Sequence, residues 1–328
     1  MRRWIEAARV RTLPLSVSGI LVGSFFAMSG PEKNWKVLLL ALSTTIGLQI
    51  LSNFANDYGD GVKGTDNDDR VGPKRAIQSG AITPESMKFA MFITGFLTLV
   101  SAMSLIYVSF KGKYLWYSIL FFVLGILAIA SAIRYTIGKN PYGYRGYGDV
   151  FVFIFFGFVS TIGISFMILK EIEPVLFLPA TAIGFLSVGV LNLNNMRDAL
   201  SDEKSGKNTL VVQNGIEWAR KYHFFLIISA MVLLLVFAVL FDWYFDADPE
   251  QFNIDNYFFL IFYILLFKHV NVVKNNTNSK LLDPELKKVA IATFLISLTI
   301  SLQMIYLFSD YGLYLLELTL DKVQNLFS

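Results

Sequence analysis

Nine apolar runs, each about as long as the 20-residue helix that crosses a bilayer, leave this chain little choice of fold. They lie near residues 13–30, 36–57, 87–108, 114–137, 150–169, 175–196, 222–241, 256–273 and 288–308. Hydrocarbon offers no partner to backbone N–H and C=O groups, so runs of this length satisfy them internally as helices. Composition agrees, with 55% of the 328 residues hydrophobic, 16% charged and a mean hydropathy of +0.54. Soluble domains carry about 25% charged residues. The expected fold class is all-α, a polytopic membrane protein with nine transmembrane helices, and membrane lipid is its first partner.

The charges orient the bundle. If the N-terminus lies inside, the inward segments hold 22 of the 28 Lys and Arg residues, and Asp242–Asn256, on the outward side, has five acids and no base. Positive residues collect on the cytoplasmic side, so the N-terminus is expected inside and the C-terminus outside. Arg2, Arg3 and an apolar run ending in Ala27-Met28-Ser29 also fit a secretory leader. The run is read here as a retained first span. No cysteine is present, which excludes disulfides, thiolate metal sites and cysteine nucleophiles. His223 and His269, the two histidines, are expected as interfacial polar residues rather than a metal centre.

Two polar clusters with one spacing end the second and sixth runs: Asn53, Asn56, Asp60 and Gly64, then Asn195, Asp198, Asp202 and Gly206. Side chains three or four residues apart share a helix face, so each cluster presents a stack of oxygen ligands at a helix end. One such cluster is ordinary capping and turn chemistry. Two with matched spacing, on membrane helices where acids are costly, point to function. Their separation of 142 residues suggests related halves, about 1–140 and 141–280, closing around a central cavity within a single domain. The ninth helix, 288–308, and an amphipathic tail at 311–328 complete it. Behind each cluster run bases and glycines. Gly59, Gly61 and Gly64 read as an anion-binding nest, and acids interleaved with bases suit an anion bridged by Mg2+, which shares phosphate oxygens.

Asn56-Asp57-Tyr-Gly-Asp60 with Asp66 beyond it, and Asp198-x-x-x-Asp202, resemble the two aspartate-rich motifs of the UbiA superfamily of membrane prenyltransferases. Nine spans agree with that family, so the resemblance covers nearly the whole chain. Arg11-Thr-Leu-Pro14, Asp60-Gly-Val-Lys63-Gly64-Thr-Asp66, Arg70-Val-Gly-Pro73 and Pro141-Tyr142-Gly-Tyr144-Arg145-Gly are similar to the 1,4-dihydroxy-2-naphthoate polyprenyltransferase branch of menaquinone synthesis. One departure stands out: Gly64 occupies the place of an expected acid, and Asp66 arrives two residues later.

The resemblance implies Mg2+ held by Asn56, Asp57, Asp60, Asp66, Asp198 and Asp202, with Asp60, Asp198 and Asp202 central to catalysis. Arg11, Lys63, Arg70, Lys74, Lys139 and Lys207 would meet the diphosphate of a polyprenyl diphosphate. Asn53, Tyr142, Tyr144, Arg145 and Asn195 would face the acceptor, 1,4-dihydroxy-2-naphthoate, with Arg145 pairing with its carboxylate. The implied setting is a bacterial plasma membrane, and no nucleic-acid partner is expected. Other aromatic acceptors, such as 4-hydroxybenzoate or homogentisate, would use the same metal site. A transporter of an anionic substrate is the rival from another class, but its ionisable groups would lie in mid-span rather than at one inward end.

Overall fold

The computed structural model describes residues 2–30, 33–65, 71–245 and 254–327, and their side chains except at 243–245, 254–255 and 306–327. Nine helical segments among these are long and apolar enough to span a bilayer. The expected fold is borne out.

The first span combines a short helix, α1 (Arg2–Ala8), a tight turn at Val10–Thr12 and α2 (Leu13–Ser29). Pro14 lies in the first turn of α2, where its missing N–H breaks no bond. Next, α3 (Trp35–Lys63) starts at Asn34, whose side chain accepts from the Val37 amide, and stops at Gly64, whose φ of 73° only glycine adopts freely. Two lipid-facing helices follow, α4 (Pro84–Phe110) and α5 (Leu115–Arg134). No residue of α5 is buried: one side, with Phe121 and Leu124, lines a cavity, and Trp116, Leu120 and Val123 are exposed.

The fifth span is built from α6 (Gly148–Val152), a π-helical stretch at Phe153–Gly163 and α7 (Ile164–Leu169). The sixth contains α8 (Phe177–Lys204), and α9 (Leu210–Asn214) lies in the loop after it. Three more spans close the bundle: α10 (Ile216–Phe245), α11 (Tyr263–Asn275) with the 3-10 turn before it, and α12 (Leu282–Phe327). The tail at 311–328, expected as a separate amphipathic helix, continues α12 as far as Phe327. Its side chains lie outside the described set.

Three differences from the sequence expectation bear on the site. α3 and α8 run to Lys63 and Lys204, past the expected span ends at 57 and 196, so both polar clusters are helical. Gly59 and Gly61 are consequently inside α3 and form no anion nest. A Cβ at Gly59 would lie 2.5 Å from Thr136 Oγ1, and one at Gly61 would lie 2.7 Å from Ile77 Cγ2. These glycines let two loops close onto α3. His223 and His269 are fully buried rather than interfacial, with their Nε2 atoms 2.7 Å apart and His269 Nδ1 2.6 Å from Glu285. That network ties α10 and α11 to the first turn of α12.

Candidate active site

The C-terminal halves of α3 and α8 border a cavity of about 370 Å3. On α3 the lining residues Thr45, Leu48, Ser52, Asn56 and Asp60 follow the three- and four-residue steps of one helix face. On α8, Ser187, Leu191 and Asn194 line the wall, whereas Asp198 and Asp202, one and two turns further along, are buried and are not among the lining residues. Polar groups gather at one end of the cavity, where Asn56, Asp60, Arg75 and Lys207 meet. The other end is apolar, with Phe121, Leu124, Val159 and Met167 among its walls.

Asp60 is the best-connected acid. Its Oδ2 accepts from Arg75 Nη1 at 2.5 Å, and its Oδ1 accepts from the Tyr144 hydroxyl at 2.7 Å. Arg75 also donates to the Asn56 carbonyl, which fixes the returning loop against α3. Lys207 Nζ lies 3.4 Å from Asp202 and acts electrostatically on Asp60 as well. The Asp202 carboxylate feels both Asp198 and Asp60, so the acids of the two helices share one neighbourhood. Asp198 is clasped by its neighbour Arg197, at 2.9 Å from Nε and 2.6 Å from Nη2.

Aromatic rings flank these charges. Tyr135 and Tyr142 meet edge to face at 5.3 Å, and Tyr142 stacks on Phe151 at 4.1 Å. All three rings line the cavity. Burial pushes the phenols of Tyr135, Tyr142 and Tyr144 above their usual range, Asp149 adding to the effect at Tyr135 and Asp60 at Tyr144. They remain protonated donors at neutral pH.

Several residues expected at the site stand elsewhere. Asp57 is buried on another side of α3, where its carboxylate accepts from the amides of Ala76 and Ile77 at 3.1 and 3.2 Å. It caps the returning loop and does not line the cavity. Lys63 donates to the Thr136 carbonyl at 2.8 Å and sits over the Tyr144 ring, so its ammonium is turned away. Lys74, Lys139 and Arg145 are exposed and outside the cavity wall, Arg145 lying 5.6 Å over the Tyr147 ring. Tyr144 serves Asp60 and Thr65 rather than lining the cavity. Asn53 lines it with its amide donating to the Ala8 carbonyl, whereas Asn195 is buried behind the wall. Arg11, expected at the diphosphate, lines the cavity. Asp66 and Arg70 lie outside the described residues.

The donor set suits a metal shared with substrate. No group of three or more His, Cys, Asp or Glu side chains that could hold a metal exists among the described residues, so an all-protein cage is absent there. Asp60 and Asn56 line the cavity, and Asp202, whose Oδ2 is buried without a hydrogen-bond partner, lies close enough to feel the Asp60 charge. Mg2+ is characteristically held by one or two carboxylates together with water and phosphate oxygens. These residues fit that chemistry.

Residues 16–247 match the model of the UbiA prenyltransferase family. The chain belongs to this family. Among curated relatives, the 1,4-dihydroxy-2-naphthoate octaprenyltransferase of Escherichia coli (strain K12) is 46% identical over 240 residues, covering 71% of this chain and 75% of that protein. The enzyme of the same name from Haemophilus influenzae is 38% identical over 304 residues, 92% of this chain and 95% of its own. Solved structures share the UbiA fold. A UbiA homologue from Aeropyrum pernix K1 superposes with a TM-score of 0.66 at 14% identity, covering 90% of this chain and 99% of that one. Another from Archaeoglobus fulgidus, bound to DMAPP and Mg2+, gives 0.58 at 16%, covering 91% and 99%.

Arg9, Asn194, Lys287 and Tyr135, which no sequence motif singled out, also line the cavity, as does Arg75, one of the bases behind the first cluster. Arg75 carried a readable signal, since it ends the basic segment that follows the first cluster. Arg9, held at a left-handed φ of 49° between α1 and the next turn, did not. Lys287 reaches the site from α12, far away in sequence.

Proposed function

We propose that this protein transfers a polyprenyl group from an allylic polyprenyl diphosphate to 1,4-dihydroxy-2-naphthoate, releasing pyrophosphate and carbon dioxide, as a step of menaquinone synthesis. The names of the relatives at 46% and 38% identity support the acceptor. The observation that carries the chemistry is the presence of Asp60, Arg75 and Lys207 together in the wall of a largely apolar cavity, with Asp202 of the second polar cluster paired to Lys207.

Asp60, Asn56, Asp202 and Asp198 would hold Mg2+, which when bound supplies Lewis-acid stabilisation of the departing pyrophosphate. Arg75 and Lys207 neutralise the remaining phosphate charge as the allylic C–O bond breaks. The prenyl chain lies along Phe121, Leu124 and Val159, whose apolar surface keeps water from quenching the allylic cation. Tyr135, Tyr142 and Phe151 turn π faces towards that charge. The electron-rich naphthoate ring forms the new C–C bond and its carboxylate leaves as carbon dioxide. Arg9, Arg11 and Lys287 line the cavity and offer cations to that carboxylate before it leaves. No covalent protein nucleophile is required.

The distribution of basic residues supports a multi-pass inner-membrane protein with its N-terminus and site on the cytoplasmic side. The deciding assay incubates the purified protein with Mg2+, one prenyl diphosphate and a panel of aromatic acceptors. Prenylated product with pyrophosphate and carbon dioxide from the naphthoate alone is expected. Product from 4-hydroxybenzoate or homogentisate instead would replace the acceptor, and the absence of any pyrophosphate release would remove the enzyme reading.

A further inference from the structure

We infer that Asp283, at the start of α12, is a positioning residue for the metal–diphosphate site, acting through Arg197 on Asp198. The inference rests on the reading of Asp198 as a metal ligand given above. Arg197 is a cation nine-tenths or more buried, with 1% of its side chain exposed, so each of its donors needs a partner. Nε and Nη2 grip the two oxygens of Asp198, and Nη2 also reaches Asn194 Oδ1 at 2.8 Å. Nη1 is held at 2.5 Å by Asp283 Oδ1 from a different helix.

Adjacent residues on a helix point about 100° apart, so Arg197 must fold back to clasp Asp198. A guanidinium is planar and rigid, and fixing Nη1 fixes the plane from which Nε and Nη2 approach Asp198. Each carboxylate oxygen has two acceptor sites. The grip of Arg197 would hold the Asp198 carboxylate in one orientation, in the way outer partners commonly orient metal-binding carboxylates. Asp283 also divides the charge of Arg197. Without it the guanidinium charge falls on Asp198 alone, which leaves less negative potential for a divalent cation.

The second contact of Asp283 is weaker. Arg11 Nη1 lies 3.4 Å from Oδ2, with 39% of the Arg11 side chain exposed. Screening by water reduces such a pair to little, so the buried Arg197 arm dominates. The neighbouring bonds of Glu285 to His269 and Lys288 anchor the same first turn of α12 without Asp283, so its removal need not unfold the helix.

The test compares wild type with Asp283→Asn, Asp283→Ala and Asp283→Glu in detergent. Calorimetry measures binding of Mg2+ with inorganic pyrophosphate, and steady-state assays give the Mg2+ concentration for half-maximal turnover and the KM for naphthoate. Asp283→Asn and Asp283→Ala should weaken Mg2+–pyrophosphate binding about tenfold and raise the Mg2+ requirement by the same factor, a shift of about 1.4 kcal/mol. The naphthoate KM should stay within about twofold, and Asp283→Glu should recover most of the loss. If Asp283→Ala does not fold, the near-isosteric Asp283→Asn carries the test. Unchanged binding in a folded Asp283→Asn overturns the proposal, as does a rise in naphthoate KM with binding intact. If wild type binds Mg2+–pyrophosphate but prenylates no naphthoate, the acceptor reading fails and the Asp283 comparison still stands.

Discussion

Replacing Arg75 by Met tests the central pair of the site. Its guanidinium has 9% of its side chain exposed and the Asp60 carboxylate 3%, at a closest approach of 2.5 Å. With charge centres about 4 Å apart and an effective dielectric near 20, the gross attraction is about 4 kcal/mol. Asp60 keeps the Tyr144 hydroxyl and the field of Lys207 after the change. Part of the penalty for an unpaired buried charge is thereby offset, and the expected loss of stability is about 3 kcal/mol. Asp60→Asn in the same background removes the charge that Arg75 neutralised. A double-mutant cycle should thus give a coupling of about 2 kcal/mol, read from unfolding in mixed micelles titrated with SDS. Repeating the cycle with Mg2+ and pyrophosphate present should shrink that coupling, because Arg75 then serves phosphate oxygens. Turnover of Arg75→Met should fall about 100-fold or more, the usual effect of losing one charge-stabilising donor. A ligand-free coupling below about 0.5 kcal/mol, the range of exposed pairs, would refute the reasoning.

Asp57→Ala leaves the amides of Ala76 and Ile77 without their acceptor, and should cost about 2 kcal/mol of stability; the Mg2+ requirement should not change, and a several-fold increase in a folded variant would return Asp57 to the metal. Tyr144→Phe removes the hydroxyl bonded to Asp60 and Thr65 and should destabilise by about 1.5–3 kcal/mol. Because the folded-state phenol titrates above its unfolded value, that contribution is whole below about pH 10 and declines as pH rises beyond it. Melting curves should therefore show a constant gap between wild type and Tyr144→Phe from about pH 6 to 9, and narrowing within that window would contradict the assignment. Arg145→Ala should leave the naphthoate KM within about twofold of wild type, whereas Arg11→Gln should raise it about tenfold; steady-state kinetics with the two variants side by side would expose a reversal.

The fold was legible because apolar run length reports directly on a membrane span, and the clusters because helical spacing marks a shared face. Helical phase also shows why one acid was misplaced. Adjacent residues are about 100° apart around a helix, and where Asn56 lines the cavity Asp57 is turned to the amides of Ala76 and Ile77. Motif membership blurred that distinction for Asp57. Loop cations were harder, since Lys63, Lys74, Lys139 and Arg145 differ from Arg75 and Lys207 only in where the backbone returns. Arg75 is carried to Asp60 by a loop anchored on Asp57, and Lys207 by a backbone bond from its own amide to the Asp202 carbonyl. Such returns are tertiary facts. The burial of His223 and His269 likewise arises from the packing of three helices, which no local pattern encodes.

Every acid proposed for the metal has a base supplied close to it in sequence or by one loop: Asp60 with Arg75, Asp198 with Arg197, Asp202 with Lys207. A reason lies in the cost of the ligand-free state. Each unpaired charge at these burials would cost several kcal/mol, and three neighbouring carboxylates would also repel one another. Pairing them within the chain lets the helices close before substrate arrives. On the proposed reading, metal and diphosphate would enter as a combined set of opposite charges, the acids serving the cation and Arg75 and Lys207 the phosphate oxygens. Neither half gains as much alone, because a bare cation must compete with the resident bases and a bare diphosphate with the resident acids. A site paired in this way would be selective for the two together, which is the chemistry that the proposed ionisation of an allylic diphosphate requires.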